Sequence, residues 1–354
     1  MPRRIAILKP SALGDIVHAL PVLTALRERF PAAHLTWVVN RGFEPMLIGH
    51  PHLDATLPFD RAAFRNLGSA LPYSFGLLNR LRRERFDLVV DLQGLLRTGL
   101  MCAATGSPRR VGFANAREGA TRFYTHLVEV PDADRIHAVD RYWRVAESLG
   151  CRTAKRFVVP LREDEVEAVN RELVPFPRPW LAVAAGAKWV TKRWPPAHFA
   201  TLLTKAQRAF GGTALLVGSA DDTALSAAIA NQLPGPVRDF TGKTSLPKLA
   251  ALLNAADVMV ANDTGPLHLA AALGRPCVAP YTCTQVRLHG PYRVPSTEYR
   301  VPSTGVETAV ACAGSYLKQC PNDTICFADL TPEKVWPPLA EVLSTWQRRT
   351  FRSA

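Results

Sequence analysis

At 354 residues the chain is long enough for two domains that each bury a core, and its 47% hydrophobic and 21% charged content is ordinary for a soluble globular protein. No apolar run reaches the roughly 20 residues that a membrane-spanning helix requires. A net charge of +13 favours anionic partners such as phosphorylated substrates or acidic headgroups, although a basic surface kept for solubility accounts for it equally. No recognition-helix, zinc-finger or stacking-platform pattern points to nucleic acid.

The chain opens with two arginines and a short apolar run, Ile5 to Leu8. A lysine and an aspartate follow soon after, so the run reads as a first β-strand, not a signal peptide, and the protein as cytoplasmic. Ile5–Lys9 is that strand. Gly14–Arg27 carries Ile16, Ala19, Leu20, Leu23 and Leu26 at helical spacing. Leu35–Val39 and Phe86–Asp91 read as strands, Leu95–Ala104 as a helix and Arg110–Phe113 as a strand. The connection Val174–Trp180 holds three prolines in seven residues and reads as a stiff domain boundary. Beyond it the rhythm repeats. Strands are expected at Trp180–Ala184, Ala214–Val217, Val237–Phe240 and Val258–Ala261. Helices are expected at His198–Phe210, Thr223–Gln232, Leu246–Asn254 and Pro266–Leu273, with a last helix at Glu333–Leu343. Alternation of this kind predicts an α/β protein of two doubly wound, Rossmann-like domains with parallel sheets, and ligands at the carboxyl ends of the strands, in a cleft.

Several motifs sit at those strand ends. Lys9-Pro-Ser-Ala-Leu-Gly-Asp15-Ile-Val-His18 leads from strand to helix without the glycine pattern of a nicotinamide site. Asp15 either favours the helix N-terminus electrostatically or serves chemistry. Ser11 is either an N-cap or a substrate contact. Asp91-Leu-Gln93-Gly94 forms a second corner, with either ligand-orienting or turn-capping roles. Arg117, Arg122, His137 and Arg141 supply cations, and the four-residue spacing of His137 and Arg141 puts them on one helical face. That face is either simply solvated or suited to an anionic acceptor.

In the second half, Ala184-Ala-Gly-Ala-Lys188 through Thr191-Lys192-Arg193-Trp194-Pro195 combines small residues with donors, a plausible diphosphate cradle. Trp189 and Trp194 read more safely as core than as stacking platforms. Asn262-Asp263-Thr264-Gly265-Pro266-Leu267-His268 runs from an apolar strand into a helix whose free N–H groups suit phosphate. Cys312, Cys320 and Cys326 cluster near the end with Ser315 where a fourth sulfur would complete a zinc pattern. Reduced thiols or one local disulfide are therefore expected, not a metal.

Together these segments resemble the heptosyltransferase family, glycosyltransferases that extend the lipopolysaccharide inner core. The resemblance runs from Ile5 to about Leu343. It rests on Ser11-Ala-Leu-Gly-Asp15-Ile-Val-His18-Ala-Leu-Pro21, Asp91-Leu-Gln-Gly94, Gly186-Ala187 with Thr191-Lys192-Arg193-Trp194-Pro195, and Asp263-Thr-Gly-Pro-Leu-His268. It implies a GT-B fold, an ADP-heptose donor, a Kdo-bearing lipid A acceptor, and inversion at the anomeric carbon with no cofactor and no required metal. Ala116-Arg-Glu118 through His137-Ala-Val-Asp-Arg141 looks most like the enzyme adding the first heptose, and the cysteine cluster like the enzyme adding the second. Ala185 and Lys188 depart from the family's usual proline and small or hydroxyl residue.

On this reading residues 1–172 form the acceptor domain, 173–332 the nucleotide-sugar domain, and 333–354 a helix packing back on the first. Asp15 is the catalytic base. Lys188, Thr191, Lys192, Asp222, Asp263, Thr264, Gly265 and His268 bind the donor, Asp222 through the ribose hydroxyls. Ser11, Gln93, Arg117, His137 and Arg141 bind an anionic lipid-linked acceptor, which implies peripheral contact with the inner face of the membrane. Two other readings remain open. One is a different sugar-nucleotide enzyme on the same fold, such as an epimerase or a transferase to another acceptor. The other is a non-catalytic binding protein.

Overall fold

The computed structural model describes residues 1–64, 67–292 and 303–353. The chain divides into two units, Met1–Pro160 and Leu161–Ala354. In the first, β1 (Arg4–Leu8), α1 (Leu13–Arg29), β2 (His34–Asn40), β3 (Ala55–Phe59), α2 (Leu67–Arg83), β4 (Leu88–Asp91), α3 (Leu96–Ala104), β5 (Arg109–Phe113), β6 (His126–Val128) and α4 (Ala138–Ser148) follow one another. The strands pair in the order β3-β2-β1-β4-β5-β6, every neighbouring pair parallel.

Strand periodicity explains how this sheet is covered. Ile5 and Ile7 point into one apolar cluster with residues of α1 and α4, such as Leu20 and Tyr142. Ala6 and Leu8 point the other way, into a cluster with Leu77 and Leu81 of α2 and Met101 of α3. A strand buried on both faces has no polar position, which is why β1 reads as a continuous apolar run.

The second unit begins with α5 (Glu163–Leu173). Then come β7 (Trp180–Ala184), α6 (Pro196–Phe210), β8 (Thr213–Leu216), α7 (Thr223–Ala230), β9 (Val237–Asp239), α8 (Leu246–Ala255), β10 (Val258–Ala261), α9 (Gly265–Ala272), β11 (Cys277–Tyr281), α10 (Val286–His289), β12 (Thr304–Glu307), α11 (Ile325–Asp329) and α12 (Pro332–Ser353). Its sheet runs β12-β11-β10-β7-β8-β9, again all parallel. Leu181, Val183, Val258 and Val260 pack against Phe199, Leu202 and Leu203 of α6 and Val335, Leu339 and Leu343 of α12.

Both sheets share one topology. The chain lays two strands to one side of the first, then returns beside that first strand and lays three to the other side. The order therefore reverses between β1 and β4 and between β7 and β10, and the loops there are splayed into a crevice.

Three features differ from the sequence expectation. The division falls at Pro160–Leu161 and not at 172/173, because α5 packs against α8 of the second unit. The proline-rich Val174–Trp180 segment joins α5 to β7 within that unit. The terminal helix α12 packs on α6 and β11 of its own unit. Strands β3 and β11 escaped the sequence reading because each contains a proline, Pro58 and Pro280, which cannot donate to a ladder.

Candidate functional site

The motifs at the two crevices form two clusters, one in each unit. In the first unit Asp15 lies in the opening turn of α1, where its Oδ2 accepts the Ala12 N–H at 3.2 Å. Its other oxygen, Oδ1, accepts the Tyr142 hydroxyl of α4 at 2.8 Å, and the Lys9 ammonium stands 3.5 Å away. Lys9 is buried; it also donates to the Leu92 carbonyl at 3.3 Å and lies 4.7 Å from the centre of the Tyr142 ring.

Desolvation works against the Asp15 charge. The Lys9 charge and the hydrogen bonds from Tyr142 and Ala12 outweigh it and hold the carboxyl below its ordinary value. Desolvation likewise pulls the Lys9 ammonium down, but Asp15 and Tyr142 more than compensate, so its proton is held more firmly than usual. Burial and the Asp15 charge push the Tyr142 phenol up, which keeps it a donor. The result is an ionised carboxylate, fixed at one oxygen, with 41% of its side chain exposed. The plainer role at the helix start is real, through Ala12, but it does not account for a buried lysine and tyrosine converging on Oδ1.

The neighbouring corner is built from Asp91 at the end of β4. It is fully buried and accepts N–H groups from Gln93 at 2.8 Å and Gly94 at 3.2 Å and the Tyr124 hydroxyl at 2.7 Å. Burial raises its pKa, with those hydrogen bonds opposing. Gly94 has φ +66°, the left-handed turn this corner requires. Asp91 thus serves as the corner's internal anchor.

The corner carries Gln93, whose buried Oε1 has no hydrogen-bond partner among the described residues. It also receives Arg117, whose N–H donates to the Gly94 carbonyl at 2.9 Å while its side chain is exposed. Arg141 lies over the rings of Tyr142 and Phe113, at 5.3 and 6.0 Å, and its buried Nε has no partner among the described residues. Unsatisfied donors and acceptors of this kind call for a polar ligand or water.

Two expectations change here. His137 is the N-cap of α4, not a residue of its face, and its Nδ1 accepts the Val139 N–H at 3.1 Å. Ser11 is not the cap of α1, because Ala12 occupies that position.

In the second unit Asp263 follows β10. Its Oδ2 accepts from Lys192 at 2.6 Å and from Thr284 at 2.8 Å, and its Oδ1 pairs with His268 Nε2 at 3.2 Å. Desolvation opposes the Asp263 charge, but His268 and Lys192 together hold the carboxyl far below the usual carboxylate range. Asn262 fastens this turn to the β7 loop, donating to the Ala185 carbonyl at 2.7 Å and accepting the Trp194 N–H at 3.1 Å. Thr264 caps α9 by position, and Gly265 and Pro266 open the helix; Leu267 donates to the Thr264 carbonyl at 3.1 Å and proline has no N–H, so it is the Gly265 N–H that has no intrahelical partner. Lys192 is mostly buried and lies 4.8 Å from the centre of the Trp189 ring; Lys188 is exposed.

Two donor candidates are engaged by neighbours within their own unit. The Thr191 hydroxyl donates to the Leu317 carbonyl at 2.7 Å, so it is committed to the fold. Asp222 Oδ2 accepts the N–H and hydroxyl of Ser219 at 2.9 and 2.7 Å. A Cβ at Gly186 would lie 2.1 Å from Asp222 Oδ1, so the close approach that glycine permits here is used by Asp222. Trp194 is core, its ring N–H on the Leu330 carbonyl at 2.7 Å. Cys312, Cys320 and Cys326 are free thiols that join Cys283 around a cavity of about 30 Å³. Among the described residues no set of three metal-ligating side chains converges.

Sequence reasoning missed Tyr142 and Thr284 and gave Lys9 and Asn262 no role of their own. For Lys9 a signal existed, a lysine ending an otherwise apolar buried strand. Tyr142 and Thr284 enter from other helices and loops and carried none.

Comparison with known proteins places this geometry in a family. The model of glycosyltransferase family 9 (heptosyltransferase) matches residues 75–311. Lipopolysaccharide heptosyltransferase 1 of Pseudomonas aeruginosa is 31% identical over 299 residues, 82% of this chain and 81% of the relative. The crystal structure of a family 9 glycosyl transferase from Veillonella parvula superposes with a TM-score of 0.79 at 21% identity, covering 97% of this chain and 98% of that one. The E. coli ADP-heptose lipopolysaccharide heptosyltransferase II gives a TM-score of 0.75 at 23% identity over 97% and 99%. The chain belongs to glycosyltransferase family 9 and is a glycosyltransferase of the GT-B fold class.

Proposed function

We propose that the chain transfers heptose from ADP-heptose to a Kdo-bearing lipid A acceptor of the lipopolysaccharide inner core, with inversion at the anomeric carbon. The observation that carries this reading is the Asp15 carboxylate, locked at Oδ1 by Tyr142 and Lys9, with the Ala12 N–H on Oδ2 and 41% of its side chain exposed. A sugar hydroxyl is a weak nucleophile near neutral pH, and a fixed, ionised carboxylate is what its proton needs as attack proceeds. The acceptor oxygen bonds to the anomeric carbon as the bond from that carbon to the diphosphate oxygen breaks. The proton passes to Asp15, and ADP departs with the bonding electron pair.

Lys192, with Asp263 and His268 holding the cluster in shape, and the Gly265 N–H opening α9 stabilise the charge that develops on the departing diphosphate. Thr264 adds a hydroxyl donor at the same point, and Lys188 reaches in from solvent. Cationic side chains there do the work a divalent ion does elsewhere, so no metal is invoked. Gln93, Arg117 and Arg141 hold the acidic acceptor. The names of the relatives support both the donor and the lipopolysaccharide acceptor, and the net charge of +13 suits an enzyme working peripherally at the cytoplasmic face of an anionic membrane. No described helix is long and apolar enough to cross one.

The test is turnover. Purified enzyme given ADP-heptose and a deacylated Kdo-bearing acceptor should release ADP and yield an acceptor heavier by one heptose in mass spectrometry. Release of ADP without a glycosylated product, or turnover only with another sugar nucleotide, would overturn the assignment.

A further inference from the structure

Most apolar side chains of the first unit are inside, but two neighbouring helices break the rule. On α2, Leu71 and Phe75 are 77% and 75% exposed. On α3, which packs beside it, Leu96 and Leu100 are exposed as well. Each pair is spaced by four residues, so each forms an outward stripe on its helix. The inward side of α2 is already supplied, with Leu77 and Leu81 buried in the core. The outward stripe is therefore surplus to folding, and exposed apolar groups in register mark a contact surface.

The charge beside the stripe identifies the contact. Neither α2 nor α3 contains an acidic residue, and α2 ends in Arg80, Arg82 and Arg83. Leu71, Phe75, Asn79 and Arg82 follow one another along a single face at helical spacing. Arg85 and Arg109 are exposed as well, Arg109 opening β5 three residues after Gly106, against which the Arg82 guanidinium packs. The adjoining acids are engaged: Glu84 pairs with Arg4, and Glu118 accepts the Leu96 N–H at 3.2 Å.

We propose that the outer faces of α2 and α3 dock the enzyme on an anionic phospholipid bilayer. Leu71, Phe75, Leu96 and Leu100 enter the boundary between headgroups and acyl chains, and Arg82 and Arg83 meet the phosphates. An apolar stripe flanked by arginines whose long stems let the charge rise to the headgroups is the pattern of an interfacial helix. The proposal rests on the reading that the acceptor is lipid-linked, since it gives the acceptor domain a seat where such a lipid is found.

The experiment uses the full chain with vesicles of phosphatidylcholine alone and of phosphatidylcholine with phosphatidylglycerol, without donor or acceptor. Wild type should sediment with the anionic vesicles, and hydrogen exchange of the amides over residues 71–83 should slow when they are added. The Leu71→Ser/Phe75→Ser variant should bind about tenfold or more weakly, from the lost insertion of two large apolar groups. Thermal unfolding shows whether it is folded. Leu96→Ser/Leu100→Ser repeats the test on the second helix. Equal binding by wild type and both variants, or unchanged exchange over 71–83, overturns the proposal. So does loss of a concentration-dependent dimer in the variants without any vesicle binding, which would make a second copy the occupant. Turnover of the water-soluble deacylated acceptor separates this from the reading it rests on: it should be unchanged in the variants, and its absence in wild type would fault the assigned reaction and leave the vesicle result standing.

Discussion

The Tyr142 hydroxyl donates to Asp15 Oδ1 at 2.8 Å across 127 positions of sequence. That bond joins the first turn of α1 to α4, and with Lys9 beneath it leaves the carboxylate only one way to face. On the proposed mechanism the two residues divide the labour of a general base, Asp15 taking the proton and Tyr142 fixing where it is taken.

Asp15→Asn should lower kcat on the order of a hundredfold or more, the loss typical for a missing general base, and leave the affinity for ADP unchanged. Steady-state kinetics with calorimetric ADP titration checks both. Near-normal turnover would remove Asp15 from the chemistry.

Tyr142→Phe should keep the fold and the donor KM but lower kcat on the order of tenfold, the worth of one hydrogen bond to a charged group. The pH profile is the sharper readout. The bond from Tyr142 is among the causes that lower the Asp15 pKa, so its loss raises that pKa and moves the acidic limb of kcat/KM to higher pH. A profile identical to that of wild type would show that Tyr142 only fills space.

Lys192→Ala should weaken ADP binding and slow transfer, because the cation beside α9 is gone. Wild-type turnover should persist in EDTA. Unchanged ADP affinity in the variant, or activity lost to the chelator and restored by magnesium or manganese, would shift the charge-stabilising role from Lys192 to a metal ion.

Asp263→Asn should destabilise the second unit by about 3 kcal/mol near pH 7, because it leaves Lys192 mostly buried without its counter-charge. The folded-state pKa of Asp263 lies far below the unfolded value of about 3.9. This stabilisation is thus fully present above the unfolded value and fades as pH falls towards the folded one. Urea unfolding of both proteins should show their difference narrowing from about pH 4 downwards. A difference independent of pH would contradict the ion pair.

Arg141→Ala and Arg117→Ala should raise the acceptor KM and leave the donor KM nearly unchanged. Arg141 keeps a buried Nε without a partner among the described residues, and Arg117 hangs from the Gly94 corner. Guanidinium groups pair carboxylates in forked geometry, so the effect should be largest with the acidic Kdo sugar present. Kinetics with each substrate varied in turn decides it; a change confined to the donor KM would detach both residues from the acceptor.

What the sequence determined by itself was the alternation of elements and the strand ends that carry function. A parallel strand buried on both faces must be apolar throughout, so β1, β4, β7 and β10 announce themselves, and Asp15, Gln93, Lys192 and Asp263 follow them within a few residues. Local pattern is silent where a proline interrupts a strand, as in β3 and β11, and where an element's partner decides its domain, as with α5 and α12. The tertiary structure alone decided how each polar side chain is used. Thr191 faces inward because Leu317 offers it a partner, and His137 becomes a cap because α4 starts one residue later. Lys9 and Tyr142 meet at Asp15 only once α1 and α4 pack on the same face of the sheet. Hydrogen bonds and ion pairs between residues far apart in sequence leave no local periodicity, so their choice of partner belongs to the fold.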